Sequence, residues 1–201
     1  MLDPFYPIVP DALWAKRIVP LGVRTLQLRV KEASGDRIRA EIAETMAICA
    51  VHGCTLIVND YWRDAIALGA TYVHLGQEDL AEADLGAIRK AGLRLGISTH
   101  THDELAIALE AQPDYIALGP IYETKLKALV YPPQDLDRIG EWKRMISCPL
   151  IAIGGITIER APGVIAAGAD TVSVITDFIT HPDPERRIGE WVRWAKTACL
   201  A

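Results

Sequence analysis

Residues 150–176, LIAIGGITIERAPGVIAAGADTVSVIT, contain the pattern of a complete strand–helix–strand unit. An apolar run at Leu150–Ile153 leads into the pair Gly154-Gly155, and Gly168 separates the next segment from a second apolar run at Thr171–Thr176. Runs that are apolar at nearly every position are typical of parallel strands buried on both faces. The stretch therefore predicts a parallel sheet that is covered by helices.

The same alternation of strand and helix occupies the whole chain. Eight short apolar runs are predicted as strands: Tyr6–Val9, Val23–Leu28, Thr55–Asn59, Thr71–Leu75, Arg94–Ser98, Tyr115–Leu118, Leu150–Ile153 and Thr171–Thr176. Eight units in 201 residues leave about 25 residues for each, near the lower limit of roughly 200 residues for a (β/α)8 barrel. We predict an α/β protein whose residues 1–201 form a single (β/α)8 barrel domain of near-minimal length. A doubly wound open sheet is the alternative, but the Gly-rich fingerprint after its first strand is absent.

Helix signals fill the gaps between the predicted strands. Ile38, Ile42 and Cys49 lie on one helical face, and Gly53 is placed to end that helix. Thr101 followed by Glu104 is the pattern of a capping box, which opens the helix after the fifth strand. Thr157 is predicted to cap the helix that follows Gly154-Gly155.

Composition excludes several classes of protein. The net charge of −5 argues against a nucleic-acid or acidic-membrane partner. The longest uncharged apolar-rich stretch, Met145–Ile158, has 14 residues, fewer than the roughly 18 that span a bilayer. The segment MLDPFYPIVP lacks the positive charge and apolar run of a signal peptide. The four cysteines form no CxxC pair and are expected to be reduced thiols, so we predict a cytoplasmic protein.

Polar residues gather where the predicted strands end, which is where a barrel of this kind places its chemistry. Gln27, Arg29 and Lys31 alternate at the end of the second strand and therefore face one way. An amide and two cations that converge in this manner suit a multiply charged anion. The alternative is a strand that runs into a loop with ordinary surface charges.

Two carboxylates follow neighbouring strands. Asn59-Asp60 ends the third strand, and Asp79 lies in the sequence HLGQED after the fourth. Carboxylates beside a basic cluster suggest Mg²⁺, which takes one or two carboxylates and shares phosphate oxygens and water. The alternative is that Asp60 and Asp79 cap the helices that follow them.

The fourth and fifth strands end in further polar groups. His74 could bind a ligand or be a hydrogen-bonded structural residue. Ser98 and His100 are not set in a GxSxG nucleophile elbow, so a hydrogen bond from Ser98 to an anion is favoured over a hydrolase triad. His100 is either an acid–base group, a common role of histidine, or a helix-terminus residue.

The last three strand ends complete the pattern. The loop after the sixth strand carries Lys125 and Lys127, which could close over an anion. Gly155 and Thr176 follow the seventh and eighth strands, whose loops are the usual phosphate site of this barrel class; a tight turn is the other explanation for the glycines. Two anion sites on one face suggest two phosphorylated substrates, one of them a diphosphate with Mg²⁺.

These motifs, in this order, resemble thiamine phosphate synthase. The resemblance covers about residues 6–184, and its motifs are QLRVK, Asn59-Asp60, HLGQED, Ser98-Thr99-His100, GPIY with the following Thr and Lys, IGGI, and GAD with Val174-Ile175-Thr176. It implies a transferase that joins a pyrimidine methyl diphosphate to a thiazole ethyl phosphate and releases diphosphate. The implied partners are phosphorylated small molecules, the implied cofactor is Mg²⁺, and a homo-oligomer is compatible with it.

The resemblance also implies roles for individual residues. It assigns Gln27 to the pyrimidine, Asp60 and Asp79 to Mg²⁺, and Gly155 with the backbone of Ile175 and Thr176 to the thiazole phosphate. It assigns to the diphosphate Arg29, Lys31, Asn59, Ser98 and Lys127. Of these, Arg29, Lys31, Ser98 and Lys127 would be catalytic, and His74 and Thr124 join the substrate-binding set. Such chemistry needs charge neutralisation on a leaving diphosphate rather than a strong base.

One motif departs from the family. The loop that usually reads Thr-x-Thr-Lys reads Thr124-Lys125-Leu126-Lys127, so Leu126 replaces a hydroxyl donor. Lys127 preserves the spacing from Gly119, whereas a two-residue deletion would make Lys125 the matching lysine. Two other functions are considered: a related thiazole tautomerase that uses His100, and a non-catalytic barrel that binds thiamine precursors.

Overall fold

The structure of the chain, a computed structural model, describes residues 2–31, 33–124 and 131–198. Eight short strands follow one another at intervals along these residues. They are β1 (Phe5–Val9), β2 (Thr25–Leu28), β3 (Thr55–Asn59), β4 (Tyr72–Leu75), β5 (Arg94–Thr99), β6 (Tyr115–Leu118), β7 (Leu150–Ile153) and β8 (Thr171–Val174).

Each strand pairs in parallel with the next, and β8 pairs with β1, so the sheet closes on itself. The closing register places Tyr6 opposite Ser173. The predicted (β/α)8 barrel is therefore confirmed, and the open sheet is excluded because both of its edges would have remained unpaired.

Helices cross between the strands, as parallel pairing requires. They are α1 (Ala12–Ile18), α2 (Gly35–His52), α3 (Trp62–Leu68), α4 (Gln77–Glu82), α5 (Leu85–Lys90), α6 (His102–Glu110), α7 (Asp135–Met145), α8 (Ala161–Ala166), α9 (Thr176–Ile179) and α10 (Pro184–Ala198). Among the residues described, no helix is long and apolar enough to cross a membrane.

Alternation along the strands divides the core into two parts. Leu26, Leu28 and Val30 belong to the large cluster that the helices cover. A smaller cluster inside the barrel contains Tyr6 and Tyr115, among other side chains. Side chains therefore alternate along each strand, and Tyr6 and Gln27 are on the face toward the barrel axis. This alternation decides which polar groups can meet at the top of the barrel.

Several boundaries differ from the sequence prediction. β2 begins at Thr25 rather than Val23, and β8 ends at Val174, because Thr176 already begins α9. Thr157 does not cap α8, since that helix begins only at Ala161 after an intervening turn. By contrast, Gly53 ends α2 in the left-handed conformation, as predicted.

Candidate active site

The polar residues singled out on β2 to β5 meet at one end of the barrel. Asn59 and His74 lie side by side in the register of β3 and β4, and both are buried. Gln27 is also buried on the inner face, Arg29 is half-buried just beyond β2, and Lys31 is exposed. The carboxyl ends of parallel strands thus bring an amide, a guanidinium and an imidazole to one rim, as the alternation predicts.

Asp60 stands at this rim in a conformation that is rare for a residue with a side chain. Its φ is +65°, in the left-handed region, which is costly for a residue other than glycine and often marks a functional position. Its backbone N–H donates to the carbonyl of His74 at 2.9 Å, which ties the end of β3 to β4. The Asp60 side chain lies next to Asp79, which is in the first turn of α4.

Asp60 and Asp79 form a close pair of carboxyl groups. Burial, and next the negative charge of Asp79, raise the pKa of Asp60 to about 6, against an opposing effect from the Arg29 cation. The two side chains also lie within hydrogen-bonding reach of each other. Like charges held this close together are the arrangement that a divalent cation relieves.

Helix capping does not account for either carboxylate. The N-cap of α3 is Tyr61 and that of α4 is Gly76, and neither cap makes a side-chain hydrogen bond. Asp79 lies inside the first turn of α4, and a Cβ built on Gly76 would meet its Oδ2 at 3.2 Å. The capping interpretation of Asp60 and Asp79 is therefore wrong.

The described residues contain no group of three or more His, Cys, Asp or Glu side chains arranged to hold a metal. A site with two carboxylates still fits Mg²⁺, which takes most of its remaining oxygens from water and from phosphate groups. It does not fit zinc, whose sites combine three or four nitrogen and sulfur ligands.

A chain of hydrogen bonds crosses the barrel interior below the rim. Gln27 Nε2 donates to Tyr6 Oη at 2.7 Å, and Tyr6 Oη lies 3.1 Å from Tyr115 Oη. Tyr115 Oη lies 2.9 Å from Nδ1 of His74, whose Nε2 lies 2.8 Å from Ser98 Oγ. The chain joins Gln27 to Ser98 through groups that are almost completely enclosed.

Burial perturbs the titratable members of this chain. It lowers the pKa of His74 to about 4, with a smaller contribution from the Arg29 cation. It also raises the pKa of Tyr6 and of Tyr115. At neutral pH the imidazole and both phenols are therefore uncharged, because ionisation without solvent is costly.

Sequence reasoning missed Tyr6, Tyr115 and Gln77. Tyr6 and Tyr115 are inward-facing by alternation, and that signal was available, but their contact across 109 residues of chain was not. Gln77, in the HLGQED motif, donates to the backbone carbonyl of Ser98 at 2.6 Å and holds the β4 loop to the end of β5.

His100 is occupied by structural contacts. Its Nδ1 lies 2.8 Å from Glu104 Oε2, which also accepts from the His100 backbone N–H at 2.6 Å. Its ring stacks on Tyr131 with the centroids 4.5 Å apart. Thr101 caps α6 as predicted, but Glu104 reaches back to His100 rather than to Thr101. These contacts favour the structural interpretation of His100.

The glycines after β7 make close backbone contacts. Gly154 and Gly155 have φ values of +103° and +63°, and a Cβ on Gly155 would lie 2.4 Å from the carbonyl oxygen of Glu123. The tight-turn explanation is therefore sound, since the backbone of the β6 loop passes directly over Gly155.

The loop after β8 is held by a charged network. Ile175 precedes the short helix α9, which begins with Thr176. The neighbouring Asp177 accepts two hydrogen bonds from Arg187 of α10, at 2.8 and 2.9 Å. Arg187 also reaches Glu159 in the β7 loop at 3.1 Å, so it connects the loops that carry Gly155 and Thr176.

Part of the predicted site lies outside the described residues. Lys125, Leu126 and Lys127 belong to this part, so the choice between the two lysines stays a prediction. Thr124, which precedes them, is half-buried.

Comparisons with known proteins agree with the geometry. The family model described as thiamine monophosphate synthase matches residues 6–178. A thiamine-phosphate synthase of Rhizobium etli is 53% identical over 192 residues, which are 95% of this chain and 94% of that protein. The Escherichia coli K12 thiamine-phosphate synthase is 45% identical over 179 residues, covering 89% of this chain and 85% of the relative.

A solved structure shares the fold at lower identity. It is the thiamine phosphate pyrophosphorylase from Pyrococcus furiosus, which superposes with a TM-score of 0.85 at 22% identity and covers 96% of each chain. At that identity the superposition supports the barrel architecture.

Proposed function

The chain belongs to the thiamine monophosphate synthase family, a family of transferases in thiamine biosynthesis, and from this premise we propose the reaction and the role of each site residue. The substrates are 4-amino-5-hydroxymethyl-2-methylpyrimidine diphosphate and a thiazole ethyl phosphate or its carboxylated form. The C–O bond from the pyrimidine methylene to diphosphate breaks, and a C–N bond to the thiazole nitrogen forms. The products are thiamine phosphate and diphosphate, and carbon dioxide is released as well when the thiazole carries the carboxyl group.

The observation that carries this proposal is the Asp60–Asp79 pair beside Arg29. Burial and then the charge of Asp79 raise the pKa of Asp60, so ionising this carboxyl group beside its neighbour costs free energy. Binding a cation offsets that cost, and the same cation neutralises oxygens of a bound diphosphate. A site for a single phosphate monoester would need no such pair.

Asp60 and Asp79 would hold Mg²⁺, which supplies charge neutralisation on the diphosphate when it is bound. The protein adds donors from the neighbouring strand ends. Arg29 and Lys31 contribute positive charge, while Asn59 and Ser98 contribute neutral hydrogen bonds. Lys127 joins this set from the β6 loop. Together these groups stabilise the diphosphate more strongly as it departs, since its negative charge then increases.

The two organic groups occupy the ends of the same rim. Gln27 and His74 lie at the pyrimidine end, on the inner faces of β2 and β4. Gly155 and the backbone of Ile175 and Thr176 hold the thiazole phosphate, assisted by Thr124. In this proposal the thiazole nitrogen lies next to the methylene carbon, and orientation supplies much of the rate.

We propose a dissociative substitution in which the carbon–oxygen bond breaks before attack. The thiazole nitrogen already carries an unshared electron pair, so its attack on the methylene carbon requires no protein base. This agrees with the state of the site, where His74 is neutral and buried and His100 is bound to Glu104. The tautomerase alternative would need His100 free to exchange protons with a substrate.

The test is incubation of the purified protein with both substrates and Mg²⁺, followed by chromatography of the products. The proposal predicts thiamine phosphate and diphosphate in equal amounts, and their loss when EDTA is added. Protein that binds both substrates but releases neither product would overturn it. Isomerisation of the thiazole alone would instead support the tautomerase.

A further inference from the structure

The hydrogen-bond chain inside the barrel has a direction that follows from its first member. Gln27 contacts Tyr6 through Nε2, which can only donate, so Tyr6 Oη is the acceptor of that bond. The hydroxyl hydrogen of Tyr6 then has Tyr115 Oη as its partner at 3.1 Å. The direction of the first hydrogen bond therefore fixes the direction of the second.

The rest of the chain follows in the same way. Tyr115 accepts from Tyr6 and donates its own hydrogen to His74 Nδ1 at 2.9 Å. Because Nδ1 of a neutral imidazole is then an acceptor, the ring proton must lie on Nε2. That proton is donated to Ser98 Oγ at 2.8 Å. The hydroxyl hydrogen of Ser98 is not used by the chain and is left to donate elsewhere.

The reverse direction is less favourable. If His74 carried its proton on Nδ1 and donated to Tyr115, Tyr115 would donate to Tyr6, which already accepts from Gln27. The hydroxyl hydrogen of Tyr6 would then have no acceptor within the chain, and this side chain is only 1% exposed. A buried donor without a partner is costly, so the forward direction prevails.

We propose that Tyr6 and Tyr115 are positioning residues that fix His74 as the Nε2–H tautomer, make Ser98 a donor toward the site, and present the carbonyl oxygen of Gln27 to the substrate. The part that concerns substrates rests on the proposed function. A departing diphosphate accepts hydrogen bonds and needs Ser98 as a donor. The amino group of an aminopyrimidine donates hydrogen bonds and needs Gln27 as an acceptor.

The direction of the hydrogen bonds therefore suits both ends of the chain, where Ser98 must donate and the Gln27 carbonyl oxygen must accept. Reversing it would turn the Ser98 lone pair toward the diphosphate, and the Gln27 carbonyl oxygen would have to turn toward Tyr6 to accept its hydroxyl hydrogen. Either change would cost binding and turnover of the pyrimidine diphosphate while leaving the thiazole phosphate unaffected. Since both phenols are held within the barrel, they act without touching a substrate.

The first test measures the tautomer directly by ¹⁵N NMR of the histidine side chains in the substrate-free protein at neutral pH. His74→Gln identifies the signals of His74 by their disappearance. We expect a protonated Nε2 and an unprotonated Nδ1. A protonated Nδ1, or an equal mixture of tautomers, would overturn the proposal whether or not the protein proves to be a synthase.

The second test compares Tyr115→Phe with Tyr72→Phe. Both residues face the barrel interior, but the Tyr72 hydroxyl accepts from Arg94 at 2.7 Å and lies outside the chain. We expect Tyr115→Phe to lower kcat/KM for the pyrimidine diphosphate about tenfold, the factor for one lost hydrogen bond. The KM for the thiazole phosphate should not change, and Tyr72→Phe should leave both parameters unchanged.

Tyr6→Phe provides the same comparison if Tyr115→Phe does not fold. The double variant Tyr115→Phe/Ser98→Ala shows whether the effect acts through Ser98. If it does, the loss of kcat/KM in the double variant is smaller than the two single-variant losses combined. Full additivity, or an equal loss with Tyr72→Phe, would contradict the positioning role. An inactive wild type would refute the proposed function, and the NMR result would still decide the tautomer.

Discussion

Asp60 combines two features that each destabilise a folded protein. Its backbone has a positive φ, and its carboxyl group is partly buried against Asp79. Neither feature benefits the fold, whereas both place a carboxylate where it can meet a cation. Local strain and charge repulsion at a single residue are therefore best explained by ligand binding.

We predict that Asp60→Asn stabilises the metal-free protein at neutral pH. The pKa of Asp60 is about 6 when folded and 3.8 as the reference value, so folding favours the protonated form. Stability is greatest below the lower value and is lost as pH rises through the higher one. Asparagine tolerates positive φ and carries no charge. Thermal unfolding in EDTA should show a gain for the variant at neutral pH that vanishes by about pH 4.

A less stable Asp60→Asn variant at neutral pH would assign Asp60 a structural role instead. Asp64→Asn is the matched control, because Asp64 lines a cavity together with Asp60 and Asp79, but it pairs with Arg39 at 2.7 Å. It should show no gain at neutral pH.

Gly155 gives a second residue-scale prediction. Alanine there adds a Cβ 2.4 Å from the Glu123 carbonyl oxygen, whereas Gly69, with a φ of +74°, has no atom within 4 Å. Gly69→Ala should cost about 1–2 kcal/mol from left-handed strain alone. Gly155→Ala should cost about 1–3 kcal/mol more, because the β6 loop must move. Chemical denaturation measures both, and equal losses would refute the close approach.

The site residues that could be predicted from sequence are those at strand ends. Asn59 and Ser98 were found because polar groups that follow apolar runs stand out. Tyr6 and Tyr115 could not be found in the same way, since a tyrosine inside an apolar strand is equally consistent with simple packing. Their hydrogen bond depends on how the barrel closes, which no local pattern contains.

At the scale of elements, α10 fixes two of the loops that surround the site. Trp191 stacks on Phe5 of β1 with ring centroids 5.0 Å apart, and its Nε1 donates to Asp177 at 2.7 Å. Arg187 binds Asp177 through two hydrogen bonds, with side chains only 12% and 8% exposed. The last helix thus holds the loop after β8 by both packing and charge.

We predict that Arg187→Met lowers stability by about 3 kcal/mol, because it leaves the buried Asp177 carboxylate without its charged partner. Arg186→Met is the matched control, since Arg186 is 58% exposed and its ion pair with Glu190 lies at the surface; it should cost less than about 1 kcal/mol. Urea denaturation measures both variants. Similar losses would show that the Arg187 network contributes no more than a surface ion pair.

Element boundaries were harder to predict than the elements themselves. All eight strands were found from apolar runs, yet β8 is two residues shorter than predicted, ending at Val174. Residues 175 and 176 are apolar or β-branched like the strand before them, but they leave the sheet to start α9. The hydrogen bonds from Arg187 to Asp177 of α9 are tertiary contacts, which local sequence propensity does not contain.

At the scale of the whole molecule, closure of the barrel brings site residues that are far apart in the sequence to one rim. The net charge is −5, yet the Arg29 cation comes to the rim beside Asp60 and Asp79. Two carboxylates are too few to fill the coordination shell of Mg²⁺. We therefore infer that oxygens of the diphosphate fill part of that shell, while the metal neutralises charge on the diphosphate.

We therefore predict that Mg²⁺ and diphosphate bind cooperatively. Diphosphate bound alone would place its negative charge beside the paired carboxylates, and Mg²⁺ bound alone would lack the phosphate oxygens that complete its coordination. Together at about one hundred times their dissociation constants, they should stabilise the fold by about 2.7 kcal/mol or more. Calorimetric titration of diphosphate with and without Mg²⁺ measures the coupling, and equal affinities would contradict it.

The most direct test of the account is the Mg²⁺ dependence of thiamine phosphate formation by the wild type, Asp60→Asn and Asp64→Asn, measured side by side with both substrates saturating. We expect Mg²⁺-dependent product from the wild type and from Asp64→Asn, and a loss of turnover of at least about 100-fold in folded Asp60→Asn. Wild-type turnover in Asp60→Asn, or product formed equally well in EDTA, would contradict it.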